Sequence, residues 1–250
     1  MLNQYPICDN HSLFLLFAEE GLPQVLSDEL LMLLLQVYKL TSNPNLRIGY
    51  NSMGADCVAN NLHTHLVYAD KLFPTTKAFP IEKAGKKVFM KSSLKHKKED
   101  IQMHTVGIKM GEVVGWPVRS FVISPDIQED SEQGLEEALD SLTHCVGVIL
   151  NHLIDRNIPH NILITDEGMT MYVIPRKFDL IIENVTFFTS FETLCGFVRC
   201  KTESSYKGMD AAEFTKRVSG QVSLDDKGFE DLKKEIVNKF LGEYEGEYIE

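Results

Sequence analysis

The spacing of apolar and polar residues marks out most of the chain's elements. Leu13 to Ala18 is a short apolar run that suits a buried strand, and Ser27-Asp28-Glu29 supplies a cap and an acidic first turn for an apolar helix ending near Thr41. Ser42-Asn43-Pro44 stops that helix. The strand pattern returns at Leu46, and after a turn-rich stretch from Asn51 to Ala55 a second strand runs around Leu62 to Ala69. Further strands are predicted at Thr105 to Lys109, Pro117 to Ser124, Asn161 to Thr165, Thr170 to Pro175 and Phe191 to Lys201, with Asp166-Glu167-Gly168 closing a tight hairpin. Leu135, Leu139, Leu142, Val146, Ile149 and Leu153 recur at helical spacing, so a helix from about Glu132 to Arg156 packs one face on something. Helices follow over Ala211 to Val218 and Asp225 to Phe240, and Gly242 to Glu250 reads as a short acidic tail. Strands and helices are mixed through hairpin links without repeated βαβ units, which predicts an α+β fold with a largely antiparallel sheet.

Composition narrows the function. The 250 residues, 44% hydrophobic and 24% charged, can bury a full core and do not suit disorder or a fibre. Lys and Arg total 25 against 36 Asp and Glu, so the net charge of −11 argues against a broad grip on nucleic acid. Apolar runs such as Leu30 to Leu35 have about six residues where a membrane span needs about 20, and no signal-peptide pattern opens the chain. A cytoplasmic protein with no nucleic-acid or membrane partner is therefore expected. Five scattered cysteines, without a CxxC pair, fit neither a disulfide framework nor a zinc knuckle. The chain has no glycine-rich dinucleotide fingerprint, Walker loop or nucleophile-elbow serine. Lys83, Lys86, Lys87, Lys91, Lys95, Lys97 and Lys98 reverse the sign of the charge locally, and most of them suit a solvated hairpin or loop.

Asn61-Leu62-His63-Thr64-His65 carries the candidate chemistry, because residues i, i+2 and i+4 of a strand project to one face. Two imidazoles and a carboxamide share that wall. Beside it in sequence, the Asn51 to Ala55 loop offers backbone N–H groups to phosphate oxygens. Neutral imidazole is a good nucleophile toward phosphorus and a competent leaving group from it, so it can divide a nucleotidyl transfer into two displacements. The same spacing also suits an exposed polar face or half of a zinc site. For zinc, further ligands would have to come from His11, His96, His104, His144, His152, His160 or a carboxylate, and no motif places one.

Longer blocks carry a resemblance. Arg47-Ile48-Gly49-Tyr50-Asn51-Ser52-Met53-Gly54-Ala55, Asn60-Asn61-Leu62-His63-Thr64-His65 and Phe79-Pro80-Ile81-Glu82-Lys83-Ala84 resemble the core of the GDP-hexose phosphorylases. These are GDP-L-galactose phosphorylase and GDP-D-glucose phosphorylase, of the histidine-triad superfamily near galactose-1-phosphate uridylyltransferase. Trp116-Pro117-Val118-Arg119, Asn157 to Ile164, Gly196 and Val222-Ser223-Leu224-Asp225 fall in the family's order, so the likeness runs from Asn3 to about Phe240. It implies one histidine-triad-like domain over residues 1–241, an antiparallel sheet flanked by helices, with 242–250 as the tail. It also implies that the substantial N-terminal segment of the relatives, ahead of the block matching Asn3-Gln4-Tyr5-Pro6, is lacking.

The implied reaction is ping-pong. His63 attacks the α-phosphorus of a GDP-hexose, hexose 1-phosphate leaves, and inorganic phosphate resolves the guanylyl-histidine to GDP. His65 matches the third triad position, as a donor to a phosphoryl oxygen. Asn51, Ser52 and Gly54 match the phosphate-side loop, Asn61 the first triad position, Asn161 a polar position on the neighbouring hairpin, and Lys83 the one lysine of the basic stretch with a motif match. No metal or other cofactor is implied; the partners are GDP-hexose, GDP and inorganic phosphate, with a homodimer as a way to cover an exposed sheet edge. Two positions depart from the pattern, since Asn61 and Phe197 stand where the family has histidine. They keep open an alternative, a catalytically weak nucleotide-binding or regulatory paralogue, beside a hydrolase in which water replaces phosphate. Arg47 and Arg119 sit beside strand residues and read as structural ion pairs.

Overall fold

Period-two burial generates most of the sheet, and helical stripes cover one side of it. The computed structural model describes residues 1–41, 43–57, 61–97, 106–127, 132–179 and 185–249. In chain order the elements are β1 (Ser12–Leu15), α1 (Asp28–Lys39), β2 (Leu46–Asn51), β3 (His63–Tyr68), α2 (Ala69–Leu72), β4 (Gly85–His96), β5 (Ile108–Val114), β6 (Phe121–Pro125), α3 (Glu132–Asp155), β7 (His160–Thr165), β8 (Thr170–Pro175), α4 (Phe191–Leu194), α5 (Glu203–Lys207), α6 (Ala211–Arg217), α7 (Asp226–Glu243) and β9 (Tyr244–Tyr248). The nine strands form one sheet in the order β1-β3-β2-β7-β8-β6-β5-β4-β9, and each of these pairings is antiparallel. The expected α+β class and antiparallel sheet are what the chain adopts.

Local chemistry explains the boundaries. The Ser27 hydroxyl accepts from the Leu30 N–H at 3.3 Å, and Asp28 and Glu29 complement the start of α1. Asp225 caps α7 in the same way, accepting from the Gly228 N–H at 2.7 Å. In the β7–β8 hairpin, Thr165 pairs with Thr170 and the intervening Asp166 and Glu167 take positive φ. One face of the sheet is covered by α1, α3 and α7, whose Leu34, Leu142, Ile149 and Phe240 pack with Ile48, Ile164, Val173 and Ile123. The opposite face holds a second core that includes Val67, Phe79, Leu163, Tyr172, Ile174, Phe187 and Phe191.

Two expectations are corrected and one is extended. The lysine-rich stretch is the strand Gly85–His96, antiparallel to the next strand β5; its lysines stay largely in solvent as expected, while Phe89, Met90 and Leu94 are buried and β9 pairs along its other edge. The segment from Gly242 is no tail, because α7 runs to Glu243 and β9 then pairs with β4, setting Glu245 3.7 Å from Lys95. Phe191 to Lys201 is no strand. Its first four residues form α4, and Gly196 turns the chain at φ +114. The expectations at Asn60, Lys98 and Thr105 lie outside the described residues. No described helix is long and apolar enough to cross a membrane.

Candidate active site

β3 sets the wall. His63, His65 and Val67 alternate with Thr64 and Leu66, and Val67 sits in the second core while Leu66 packs on the first, so both imidazoles face away from α1, α3 and α7. Gly49 of β2 pairs opposite His65, and a Cβ there would lie 2.2 Å from the Phe191 ring. The missing side chain is the notch that admits Phe191, whose ring packs 5.6 Å from that of His65.

The hydrogen bonds fix where the protons sit. His63 Nδ1 lies 2.7 Å from the backbone oxygen of Asn61, which can only accept, so Nδ1 carries the proton and the lone pair of the neutral ring is on Nε2. The Ile7 N–H donates to His11 Nδ1 at 3.1 Å, which leaves the His11 proton on Nε2, 3.0 Å from His65 Nδ1. His65 therefore accepts on Nδ1 and carries its own proton on Nε2. Burial pushes His11 down to about 4 and His65 down to about 3, with the Arg199 charge and, for His65, the neighbouring imidazoles adding to the effect. Both rings are thus neutral near pH 7. A lone pair on His63 and a donor on His65 stand side by side, with ring centroids 5.5 Å apart.

Other predicted residues divide into those that frame this wall and those that lie elsewhere. Asn51 and Asn161 pair across β2 and β7, and Asn51 Oδ1 accepts from Asn161 Nδ2 at 2.7 Å and from the Phe191 N–H at 2.9 Å. They latch α4 to the sheet, and Asn161 Oδ1 is buried with no partner among the described residues. Asn61 contributes its carbonyl, while its side-chain oxygen is likewise enclosed without a partner. Ser52 is not brought to the imidazoles. Its hydroxyl accepts from the His160 N–H at 2.8 Å, and it lines a cavity of about 120 Å³ with Tyr50 and His160. Gly54 takes φ +78 and abuts the Phe178 ring, which a Cβ would meet at 2.6 Å. Lys83 is exposed on a separate cavity of about 230 Å³, beside Arg47, Glu82 and Lys86. Arg47 is bound by both Glu82 oxygens at 3.0 Å, and Arg119 by Glu112, Asp226 and Glu230, as structural ion pairs.

Three residues of the wall were not predicted as part of it. Gln24, 2% exposed, donates to the Asn51 and His63 carbonyls and accepts from the His63 N–H, each at 2.9 Å. It clamps the ends of β2 and β3. His11 supports His65 from beside β1, and among the described residues Arg199 is the cation whose field reaches both His11 and His65. A lone buried glutamine or histidine carries no signal in sequence that separates it from packing.

Comparisons with known proteins place the chain. The family model described as GDPGP1-like, N-terminal domain, matches residues 1–67, and that described as GDPGP1-like, C-terminal domain, matches residues 92–242. The chain belongs to the GDPGP1-like family. Within that family it is 29% identical over 175 residues to GDP-L-galactose phosphorylase 1 of Arabidopsis thaliana, covering 70% of this chain and 33% of that protein. It is 26% identical over 166 residues to GDP-D-glucose phosphorylase 1 of Xenopus laevis, covering 66% of this chain and 34% of that one. The chain spans about a third of the length of these relatives. Its fold is similar to that of yeast Ap4A phosphorylase Apa2 solved with AMP, at a TM-score of 0.56 and 16% identity, over 90% of this chain and 72% of the other. The GDPGP1-like assignment agrees with the resemblance carried by the motif blocks.

Proposed function

We propose that this chain is a nucleotidyltransferase of the phosphorylase type, cleaving a GDP-hexose with inorganic phosphate to GDP and hexose 1-phosphate. The observation that carries the reading is the 2.7 Å contact from His63 Nδ1 to the Asn61 carbonyl. That contact needs only the backbone of Asn61, so asparagine serves at a position where relatives have histidine. His63 Nε2 attacks the α-phosphorus, the P–O bond to hexose 1-phosphate breaks, and the guanylyl group rests on the imidazole. Phosphate then attacks the same phosphorus, His63 leaves with its lone pair restored, and GDP departs. His65 Nε2–H donates to a non-bridging oxygen as charge builds. Asn51, Asn161 and Gln24 hold the strands that carry these rings.

Incubation with GDP-glucose or GDP-galactose, with and without phosphate, followed by assay of GDP and GMP, tests the reading. GDP formed only with phosphate is expected; GMP formed without it would make the chain a hydrolase. His63→Ala is expected to abolish turnover, and His65→Ala to lower it by about 10²–10³. Undiminished turnover in His63→Ala would discard the mechanism. Tight GDP binding without turnover would favour the second reading, a nucleotide-binding paralogue, to which the unpartnered Asn61 side-chain oxygen lends support.

A further inference from the structure

A site that handles phosphoryl groups has to balance negative charge, and His11 and His65 supply none of that balance at neutral pH, since burial holds both unprotonated. Other cations are committed or lie elsewhere. Arg47 is spent on Glu82, Arg119 on three carboxylates and the buried Arg176 on Asp179, while Lys83 and Lys86 line the separate cavity. Arg199 differs from all of these. Its guanidinium lies over the Phe188 ring, 4.5 Å from the centroid, and Nη2 meets Glu192 Oε1 at 2.5 Å and Ser190 Oγ at 3.4 Å. Ser190 and Glu192 flank Phe191, the residue packed on His65. The segment is fixed from below, because the Phe188 N–H donates to the Arg199 carbonyl at 2.9 Å.

Glu192 engages only one of the three guanidinium nitrogens. Nε is enclosed without an acceptor, Nη1 has no hydrogen bond to the described residues, and the side chain is 31% exposed. Burial pushes the Glu192 carboxyl up from its ordinary value, and the Arg199 charge beside it acts the other way. Asp56, which also lies within the field of Arg199, is shifted in the same direction by burial. We propose that Arg199 is the phosphate-binding cation of the imidazole wall, its uncommitted Nη1 taking an anionic phosphoryl group. This deepens the reading given above and rests on it for the choice of anion, which is either the free phosphate acceptor or the terminal phosphoryl of a guanosine diphosphate.

The test is calorimetric titration of inorganic phosphate and, separately, of GDP into the full chain and into Arg199→Gln and Arg199→Lys. Arg199→Gln is expected to weaken one of the two anions by about tenfold or more, and Arg199→Lys by less, because it keeps the charge but loses the planar fork. Loss confined to phosphate assigns Arg199 to the acceptor, and loss for GDP assigns it to the nucleotide. Arg199→Gln strands a buried carboxylate, so the double variant Arg199→Gln/Glu192→Gln is titrated alongside it and is expected to show the same loss in a chain that keeps its fold. Unchanged affinity for both anions in a folded variant overturns the assignment, and so does a parent chain that binds neither. None of these titrations requires turnover. An inactive parent chain that still loses affinity for either anion in Arg199→Gln would remove phosphorolysis and keep the cation, whereas affinity for both anions left intact by Arg199→Gln, beside a dead His63→Ala, would remove the cation alone.

Discussion

His63 and His65 stand two positions apart on one strand, yet each keeps its proton on the nitrogen its own neighbour dictates. A carbonyl fixes the Nδ1 proton of His63 and a second imidazole fixes the tautomer of His65, so His63 Nε2 stands beside a donor on His65. Holding rings neutral has a cost that can be measured. His11, His65 and His160 are pushed down by burial to about 4, about 3 and about 4, well under the ordinary histidine value of 6.5. Their unfolded-state counterparts take up protons as pH falls below about 6.5, while the folded chain resists until about pH 4, so the unfolded state binds more protons across that window. Stability is therefore expected to be level above pH 6.5 and to fall between pH 6.5 and 4, opposed in part by Asp56 and Glu192, whose carboxyls are pushed up. His160 donates through Nδ1 to the Ile158 carbonyl at 3.1 Å, a bond an asparagine amide can copy. Urea melts of His160→Asn across this range should show a slope of unfolding free energy against pH lower by up to about 1.4 kcal/mol per pH unit. An unchanged slope would mean that His160 is not held neutral. The i, i+2 spacing made His63 and His65 legible in sequence; His11 was not legible as their partner, because 54 residues separate it from His65 and only the β1–β3 pairing brings them together.

At the level of elements, the informative failure is the stretch from Phe191 to Lys201. Its apolar residues suit a strand, but Asn51 takes the Phe191 N–H that a strand would offer to a neighbour, and the ring drops into the notch at Gly49. One turn of helix results. That outcome depends on a glycine far away in sequence, so local pattern could not foretell it. In the lysine-rich β4 the solvated charges were legible but the pairing with β9 was not, because that acidic strand lies at the other end of the described chain. By contrast α3 and the β7–β8 hairpin were read correctly, because their signals are helical spacing and a turn, both complete within the segment. The Gly49 notch gives an element-scale prediction. Gly49→Ala places a Cβ where the Phe191 ring sits and is expected to cost about 1–3 kcal/mol in a urea melt, displacing α4 from the imidazoles. Gly49→Ala/Phe191→Leu should recover part of that loss, since the smaller side chain vacates the space. A double variant no more stable than Gly49→Ala would show that the notch is not what holds α4.

Across the whole molecule, the sheet separates two tasks. Three helices close one face into the larger core, while the imidazoles stand on the opposite face at the β1–β3–β2 end, roofed by the short segment around α4. Gln24, Asn51 and Phe191 connect that roof and those strands to one another, so a ligand gripping the wall binds groups that are assembled only when the sheet itself is assembled. Binding there should consequently stabilise the fold as a whole and not one loop. A ligand present at about 100 times its Kd contributes about 2.7 kcal/mol to unfolding free energy, and for a chain of this size each kcal/mol moves the midpoint by about 2–4 °C. Thermal scans with saturating GDP should therefore rise by roughly 5–10 °C, through a single transition followed equally by near-UV and far-UV circular dichroism. A net charge of −11 repels anions in general, so a shift seen with GDP but not with sulfate at equal ionic strength identifies specific recognition, not screening. Absence of any shift at millimolar GDP would mean that this chain does not hold the nucleotide by itself, and the imidazole wall would then lose its assignment as a phosphoryl-transfer site.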